Sequence, residues 1–327
     1  MRIDFEGAAY ELLPGEPLLS GLERQGAQLP SFCRTGACQT CLVKAKRGRP
    51  PSLSQVGLKD LWVAQGLFLA CMCVPEEPLE VERCEAASSF ATRVERVERL
   101  TPNVLRVELR APLGFEYQAG QFVQLERAGG VMRPYSLASV PGSDRLELHV
   151  ALFPGGAMSE WLLTATGQAV TLRGPFGECF YFAAEPERPL LLAGTGTGLA
   201  PLLGVARAAR AAGHRAPIHL YHGSPSLEGL YLWAELAEFA RQMSTLHVFG
   251  SVLSGVTEGA RDSERCRILG EALDRALVTG PLDPSDCRVY LCGHPDFVQR
   301  LKKRLYLAGT PLARIHADPF VTPTPRP

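Results

Sequence analysis

The sequence predicts a multidomain protein with an α+β domain, an antiparallel β domain and a C-terminal doubly wound parallel-sheet α/β domain. Its 327 residues correspond to about two or three domains of ordinary size. The pattern of predicted strands and helices changes near residues 86–90 and again near residue 186, which divides the chain into three blocks. Strands alternate with helices only in the last block. We therefore expect domains at residues 1–86, 90–185 and 186–327.

The composition excludes several classes of protein. Lys and Arg total 34, Asp and Glu total 34, and 46% of residues are hydrophobic, which is neither a disordered chain nor a basic nucleic-acid binder. The longest apolar stretch, residues 190–200, is broken by glycines and is shorter than the ~20 residues of a membrane span. Because the N-terminus alternates like a strand, with no export signal, we expect a cytoplasmic protein whose cysteines are not a disulfide framework.

The first block contains a cysteine motif. After a predicted hairpin and a helix near residues 17–26, the segment SFCRTGACQTC spaces Cys33, Cys38 and Cys41 as C-x4-C-x2-C. This is the plant-type 2Fe-2S spacing, and a fourth thiolate must come from a distant segment. Cys71 or Cys73 could supply it, and Gly36 would allow the tight turn that the loop needs.

The sequence gives less support to other functions for these cysteines. A zinc site usually has paired C-x2-C knuckles and this sequence has one, while a thioredoxin-like motif needs a βαβ context that the block lacks. The remaining cysteines are predicted to be buried core residues, because free cysteine often behaves as a small apolar side chain. They are Cys84, Cys179, Cys266 and Cys287.

The second block contains short strands and two binding segments. In RPYSLAS, the planar guanidinium of Arg133 could bind phosphate, the Tyr135 ring could stack on a flat ligand, and the Ser136 hydroxyl could donate a hydrogen bond. The alternative is that Arg133 is an edge-strand residue and Tyr135 a core residue with no ligand. PGGAMSEWL combines two glycines with Ser159 at the start of a helix, where free N–H groups bind phosphate.

The third block begins with LLLAGTGTGLAP, which sets three glycines directly after an apolar strand. The pattern is G-x-G-x-G, not the Rossmann G-x-G-x-x-G, but it still allows close approach to a pyrophosphate. The second strand is followed by Ser224 and Ser226 without Arg or Lys, which favours NADH over NADPH, unless Arg261 or Arg265 reaches in. We interpret His222, His294 and His316 as turn or surface residues.

These motifs resemble known families. SFCRTGACQTC with the later LAC resembles the cluster loop of plant-type ferredoxins, which implies a β-grasp fold and Cys71 as the fourth ligand. RPYS, GGAMS and GPFG resemble the ferredoxin-NADP reductase superfamily, which implies an antiparallel β-barrel that binds FAD. LLLAGTGTGLAP and VYLCGHPDFV resemble the GTGxAP and CGxP segments of its nucleotide domain. The family often has a basic residue after His149-Val150, whereas Ala151 follows here, so FMN remains an alternative.

The resemblance also implies roles for individual residues. Arg133 contacts the flavin diphosphate, Tyr135 stacks on the isoalloxazine and Ser136 faces N5. Thr197 and Cys292 flank the nicotinamide, although Cys292 could instead be an inert core thiol. In RIHADPF, Asp318 would hydrogen-bond near Ser136 and Phe320 would shield the flavin, unless this end frays. The other implied cofactor-binding residues are Pro134, His149, Val150, Gly155, Gly156, Ala157, Met158, Ser159, Gly194, Thr195, Gly196, Gly198 and Gly293.

The order of the blocks matches that of the reductase components of bacterial ring-hydroxylating dioxygenases and related monooxygenases. This implies an NADH-dependent oxidoreductase, a monomer, that passes electrons from NADH through FAD and a 2Fe-2S cluster to an oxygenase component or a ferredoxin. Two other functions remain possible at this point, a reductase for deoxysugar biosynthesis and a non-enzymatic redox sensor. The sensor lacks support because the sequence has neither a basic patch nor a helix-turn-helix signal.

Overall fold

The computed structural model describes residues 1–31, 33–36, 38–58, 60–83, 89–253 and 265–321. It divides into two compact units, Met1–Ser88 with Val321–Pro327, and Ser89–Phe320. Cys84, Arg261, most of the predicted linker at residues 86–89 and the Pro-rich tail lie outside the described residues.

The first unit is one mixed five-stranded sheet with the strand order β2-β1-β5-β3-β4. Its strands are β1 (Arg2–Phe5), β2 (Ala8–Glu11), β3 (Leu42–Arg47), β4 (Leu67–Leu69) and β5 (Leu79–Arg83). The predicted hairpin is confirmed by the antiparallel pairing of β1 with β2, and the predicted helix is α1 (Leu18–Arg24). A short second helix, α2 (Asp60–Ala64), precedes β4. The core lies between the sheet and α1, whose leucines are buried.

The second unit begins with six antiparallel strands in the order β10-β7-β6-β11-β8-β9. They are β6 (Ser89–Thr101), β7 (Val104–Arg110), β8 (Phe122–Arg127), β9 (Val131–Ser136), β10 (Arg145–Ala151) and β11 (Ala169–Phe176), with the single turn α3 (Ser159–Leu162) after β10. A bridge from Leu137 to Leu148 joins the two edges of this sheet. The sheet is therefore closed into the expected barrel around an aliphatic core.

The rest of the second unit is a parallel sheet with the order β15-β14-β13-β12-β16-β17. Its strands are β12 (Leu190–Thr195), β13 (Ile218–Ser224), β14 (Leu246–Val252), β15 (Cys266–Leu269), β16 (Arg288–Gly293) and β17 (Ile315–Pro319). The helices are α4 (Leu199–Ala211), α5 (Trp233–Gln242), α6 (Leu273–Thr279) and α7 (Pro295–Leu307). This confirms the predicted fold class.

The parallel sheet has an apolar core on each face, which is why its central strands are buried along nearly their whole length. One core includes the apolar side of α4 and the other includes α7. No described helix is long and apolar enough to span a membrane.

Candidate functional site

Four cysteines of the first unit lie together in the fold. Cys33, Cys38 and Cys41 occupy the loop that leads into β3, and Cys71 follows β4. β3 and β4 are antiparallel, and the Ala70 N–H donates to the Cys41 carbonyl at 3.0 Å, which brings Cys71 beside Cys41. All four side chains are buried.

The four sulfurs form two pairs. Cys38 hydrogen-bonds to Cys33, which lowers the pKa of the Cys33 thiol, and Cys41 does the same for Cys71. The sulfur of Cys33 also accepts from two backbone N–H groups, those of Thr35 at 3.4 Å and Cys38 at 3.3 Å. Two pairs of thiols with N–H donors directed at them fit a 2Fe-2S cluster, in which each iron takes two thiolates. A structural zinc site would instead gather its four ligands around one metal ion.

Cys73 lies outside this group. Its side chain is fully buried and hydrogen-bonds to the Ser54 hydroxyl, and burial raises the pKa of the Cys73 thiol to about 12. Of the two candidates for the fourth ligand, the structure therefore brings Cys71 to the other three cysteines and leaves Cys73 in the core.

Gly36 makes the turn of the cysteine loop possible. Its φ is +82°, and its backbone N–H donates to the sulfur of Cys71. A side chain here would also meet Met72, since an added Cβ would lie 3.1 Å from Met72 Cγ. Glycine is the residue that adopts this conformation without strain.

In the barrel, Arg133, Pro134, Tyr135 and Ser136 lie on β9, whose partner is β8. Arg133 and Tyr135 are half-buried, and the guanidinium of Arg133 donates to the Met132 carbonyl at 2.7 Å. Burial raises the pKa of the Tyr135 phenol, which keeps it neutral. A guanidinium, a neutral phenol ring and a buried hydroxyl on one strand fit a flavin that carries a diphosphate.

The second flavin segment forms a tight turn at residues 153–159. Gly155 and Gly156 shape it, since a Cβ on Gly156 would lie 2.3 Å from Ser159 Oγ. The hydroxyl of Ser159 accepts from the Phe153 N–H and donates to the Gly156 carbonyl, both at 3.4 Å. Met158 is a buried core residue. Any contact of this turn with a cofactor would therefore come mainly from its backbone, including that of Ala157.

His149 and Val150 have partners of their own. Val150 packs in the barrel core. The His149 ring is buried between the hydroxyl of Tyr231 at 3.1 Å and the carboxylate of Glu147 at 2.8 Å. The resemblance places both residues at the cofactor, and the structure leaves only their backbone for such a contact.

The glycine turn joins β12 to α4. Thr195 ends β12, and residues 196–198 form one turn of 3-10 helix that contains Thr197. β12 pairs in parallel with β16, so that Gly194 lies opposite Cys292. The Thr195 hydroxyl accepts from the His294 N–H at 3.0 Å and fixes the turn against the end of β16.

The predicted catalytic residues at the end of the parallel sheet meet the barrel. β17 pairs with β16 so that Asp318 lies opposite Cys292, and the Phe320 N–H donates to the Gly293 carbonyl at 2.7 Å. The Ser136 hydroxyl of the barrel donates to Asp318 Oδ2 at 3.3 Å. Burial raises the pKa of the Asp318 carboxyl to about 6, against the opposing effect of this hydrogen bond.

Cys292 is a buried thiol beside Asp318. The Asp318 backbone N–H donates to its sulfur, and burial raises the pKa of Cys292 well above that of a free thiol. The sulfur of Cys179 lies 3.4 Å away, although the sequence suggested only a core role for Cys179. The pair is 113 residues apart, so no local spacing could have revealed it.

The segment that the sequence analysis associates with the choice of nucleotide follows β13. Ser226 donates to the Glu228 carboxylate, which lowers the pKa of Glu228, and the Ser226 N–H donates to Ser224 Oγ at 3.4 Å. Glu228 is thus an anionic residue that the sequence interpretation missed. Arg265 lies just before β15, where its carbonyl accepts from the Val248 N–H.

The interpretation of the histidines was partly wrong. His222 is fully buried within β13, and His316 packs on Tyr290 in β17 with a ring separation of 5.1 Å. β13 is a central strand covered on both faces, so it buries the polar His222 with its apolar neighbours, whereas His316 is half-buried on the edge strand β17. His294 does lie at a turn, where it caps α7.

Comparison with protein families matches three successive regions of the chain. Residues 2–76 match the 2Fe-2S iron-sulfur cluster binding domain, residues 91–181 the oxidoreductase FAD-binding domain, and residues 192–303 the oxidoreductase NAD-binding domain.

Relatives of known function match almost the whole chain. The reductase subunit of an aromatic O-demethylase from Amycolatopsis sp. is 36% identical, with 96% of each chain covered. The ferredoxin–NAD(P)+ reductase component of a naphthalene 1,2-dioxygenase system from Pseudomonas putida is 30% identical, with 94% of each covered. Among solved structures, an Amycolatopsis cytochrome P450 reductase matches with a TM-score of 0.68 and 29% identity, with 98% of each chain covered.

Proposed function

The chain belongs to the family of ferredoxin–NAD(P)+ reductases that form the reductase components of oxygenase systems, and we propose that it transfers electrons from NADH to an oxygenase component. It is an oxidoreductase with 2Fe-2S, FAD and NAD-binding domains. The observation that carries the proposal is the contact of Ser136 with Asp318, which joins the barrel to the end of the parallel sheet beside Cys292. We also propose that the boundaries between its three domains lie near residues 86–90 and 185–186.

The bound groups supply the conversion between electron pairs and single electrons, because a nicotinamide gives a hydride, a 2Fe-2S cluster takes one electron and a flavin exchanges either. The protein binds and orients them. Arg133 would neutralise the flavin diphosphate, and Tyr135 would stack its neutral phenol on the ring. The backbone of the turn at residues 153–159 would also bind the diphosphate.

Ser136 and Asp318 would bind and transfer a proton beside the flavin. Asp318 has a pKa of about 6, so its carboxyl can hold a proton or release it near neutral pH. The Ser136 hydroxyl, which donates to Asp318 Oδ2 at 3.3 Å, would relay to this carboxylate the proton that is released when electrons leave the flavin. Cys292 and Thr197 would flank the nicotinamide, and Phe320 would cover the flavin until the nucleotide binds.

The preference for NADH follows from the segment after β13. A 2′-phosphate needs a cationic partner there, and a 2′-hydroxyl is well served by a carboxylate. Glu228 is anionic, held by Ser226, and repels a phosphate.

The cluster ligands are Cys33, Cys38, Cys41 and Cys71, and the cluster is the point of exit for electrons. The acceptors named for the relatives are dioxygenase and O-demethylase systems, and an oxygenase component is the acceptor we propose for this chain.

The test is a comparison of two cysteine variants. Cys38→Ser should abolish NADH-dependent reduction of cytochrome c, because this acceptor takes its electrons from the cluster, and should spare ferricyanide, which reacts with the flavin directly. Cys73→Ser is the matched control, since Cys73 is equally buried and contacts Ser54 instead. Equal loss of both activities in Cys38→Ser would contradict the order of transfer.

A further inference from the structure

His222 connects the central sheet to the glycine turn. It lies on β13, its side chain is 0% exposed, and its Nε2 is 3.1 Å from the Gly196 carbonyl oxygen. The same oxygen accepts the backbone N–H of Leu199 at the start of α4. A carbonyl oxygen has two lone pairs, so both bonds can form at once. The turn is therefore fixed from within its own chain segment and from the neighbouring strand.

The hydrogen bond defines the state of the ring. Burial lowers the pKa of His222 to about 4, so the ring is neutral at physiological pH. Nε2 must carry the proton to donate to Gly196, and Nδ1 is then unprotonated. Within the described residues, Nδ1 has no hydrogen-bond partner. The hydrogen bond to Gly196 is thus the one that the His222 side chain makes in the part of the chain that the structure describes.

Tyr231 holds the ring from behind. It packs edge-on against His222, with ring centres 5.2 Å apart and an interplanar angle of 84°. It packs in the same way against His149 of the barrel, at 5.3 Å and 86°. The tyrosine is buried between one imidazole from the parallel sheet and one from the barrel.

The orientation of His149 follows from Glu147. Burial raises the pKa of Glu147, but hydrogen bonding to His149 and the charge of Arg207 outweigh this and lower it to about 2. The carboxylate accepts from His149 Nε2 at 2.8 Å and from Arg207 Nη1 at 2.9 Å. His149 Nδ1 is therefore free of a proton and accepts from the Tyr231 hydroxyl at 3.1 Å. A single assignment of protons therefore satisfies all three hydrogen bonds, from Arg207 and His149 to Glu147 and from Tyr231 to His149.

We infer that His222 is a positioning residue for the pyridine nucleotide, because it holds the Gly196 carbonyl while Tyr231 and His149 hold its ring against the barrel. The inference rests on the proposed function, since the turn must be the one that receives the nucleotide. Its consequence is that the turn has one fixed position relative to the flavin-binding barrel before NADH arrives. Losing the bond should weaken nucleotide binding and leave the barrel unchanged.

The test uses three variants of the purified holoenzyme. His222→Leu removes the donor and keeps an apolar side chain, whereas His222→Gln keeps an N–H that can reach the position of Nε2. His219→Leu is the matched control, because His219 is also buried on β13 and packs on His247 instead. Binding of NAD+ is measured by isothermal titration calorimetry, together with KM for NADH, FAD content and the urea midpoint.

His222→Leu should weaken NAD+ binding and raise KM roughly 3- to 10-fold, which is the effect of one lost hydrogen bond. His222→Gln should recover to within about twofold of the wild type, and His219→Leu should bind normally even if it is less stable. FAD content should stay the same in all three. Normal binding by His222→Leu, no recovery in His222→Gln, or an equal loss in His219→Leu would overturn the inference. A wild type that does not oxidise NADH would instead refute the proposed function.

Discussion

Replacing Gly198 with alanine tests the close approach of the glycine turn to β16. The Cβ of Gly198→Ala would lie 2.5 Å from the Cys292 carbonyl oxygen, 2.7 Å from its carbon and 2.9 Å from Gly293 Cα. All three are backbone atoms, so no change of rotamer relieves the overlap. Ordinary contact begins at 3.4 Å, so the turn and β16 must separate by about 0.9 Å to accommodate the methyl group.

This separation falls between the two residues proposed to flank the nicotinamide, Thr197 and Cys292. A misplacement of about 1 Å can lower a rate up to ~100-fold, and overpacking of this kind destabilises a protein by about 1–3 kcal/mol. We expect the rate constant for flavin reduction by NADH to fall at least ~10-fold in anaerobic stopped-flow experiments, with FAD content unchanged.

The control is Gly213→Ala, after the end of α4. A Cβ on Gly213 would meet nothing within 4 Å, but φ is +69°, so alanine there costs about 1–2 kcal/mol without a collision. This variant should lose stability and keep most of its rate of flavin reduction. If Gly198→Ala reduced its flavin at the wild-type rate, or if the two variants lost equal rates, the argument from close approach would be refuted.

Two further predictions concern charge. Asp318 has a folded-state pKa of about 6 against 3.8 for the free group, so the folded state binds the proton more tightly and Asp318 lowers stability progressively as pH rises from about 4 to about 6. The free energy of unfolding of Asp318→Asn minus that of the wild type, measured with urea, should therefore be about 1–2 kcal/mol larger at pH 7.5 than at pH 5, and a pH-independent difference would contradict the assignment. Glu228→Arg should narrow the ratio of kcat/KM for NADH over NADPH at least ~10-fold, because it replaces a repulsive charge with a phosphate partner, while Glu160→Arg, in the flavin turn, should leave that ratio unchanged.

The domain order and the chemistry of each block could be predicted from the sequence because their signals are local. The spacing of Cys33, Cys38 and Cys41 lies within nine residues, and the glycine turn directly follows its strand. Local sequence could not decide whether Cys71 or Cys73 is the fourth cluster ligand, because this depends on how β4 pairs with β3.

The contacts behind the site could not be predicted. His149 and Tyr231 are 82 residues apart, and His222 was interpreted as a turn or surface residue although it is buried on β13. Their burial results from packing of the parallel sheet against the barrel, which no spacing encodes. The internal hydrogen bonds of the Ser159 and His149 side chains were likewise not visible in the motif letters.

The central claim is that electrons pass from NADH through the flavin to the cluster. An anaerobic titration of the purified protein with NADH, followed by optical absorption and electron paramagnetic resonance, observes both centres in one sample. The account predicts that the flavin absorbance bleaches and that the rhombic signal of a reduced 2Fe-2S cluster grows with added NADH. Bleaching of the flavin without any cluster signal, in protein shown to contain iron and sulfide, would contradict it.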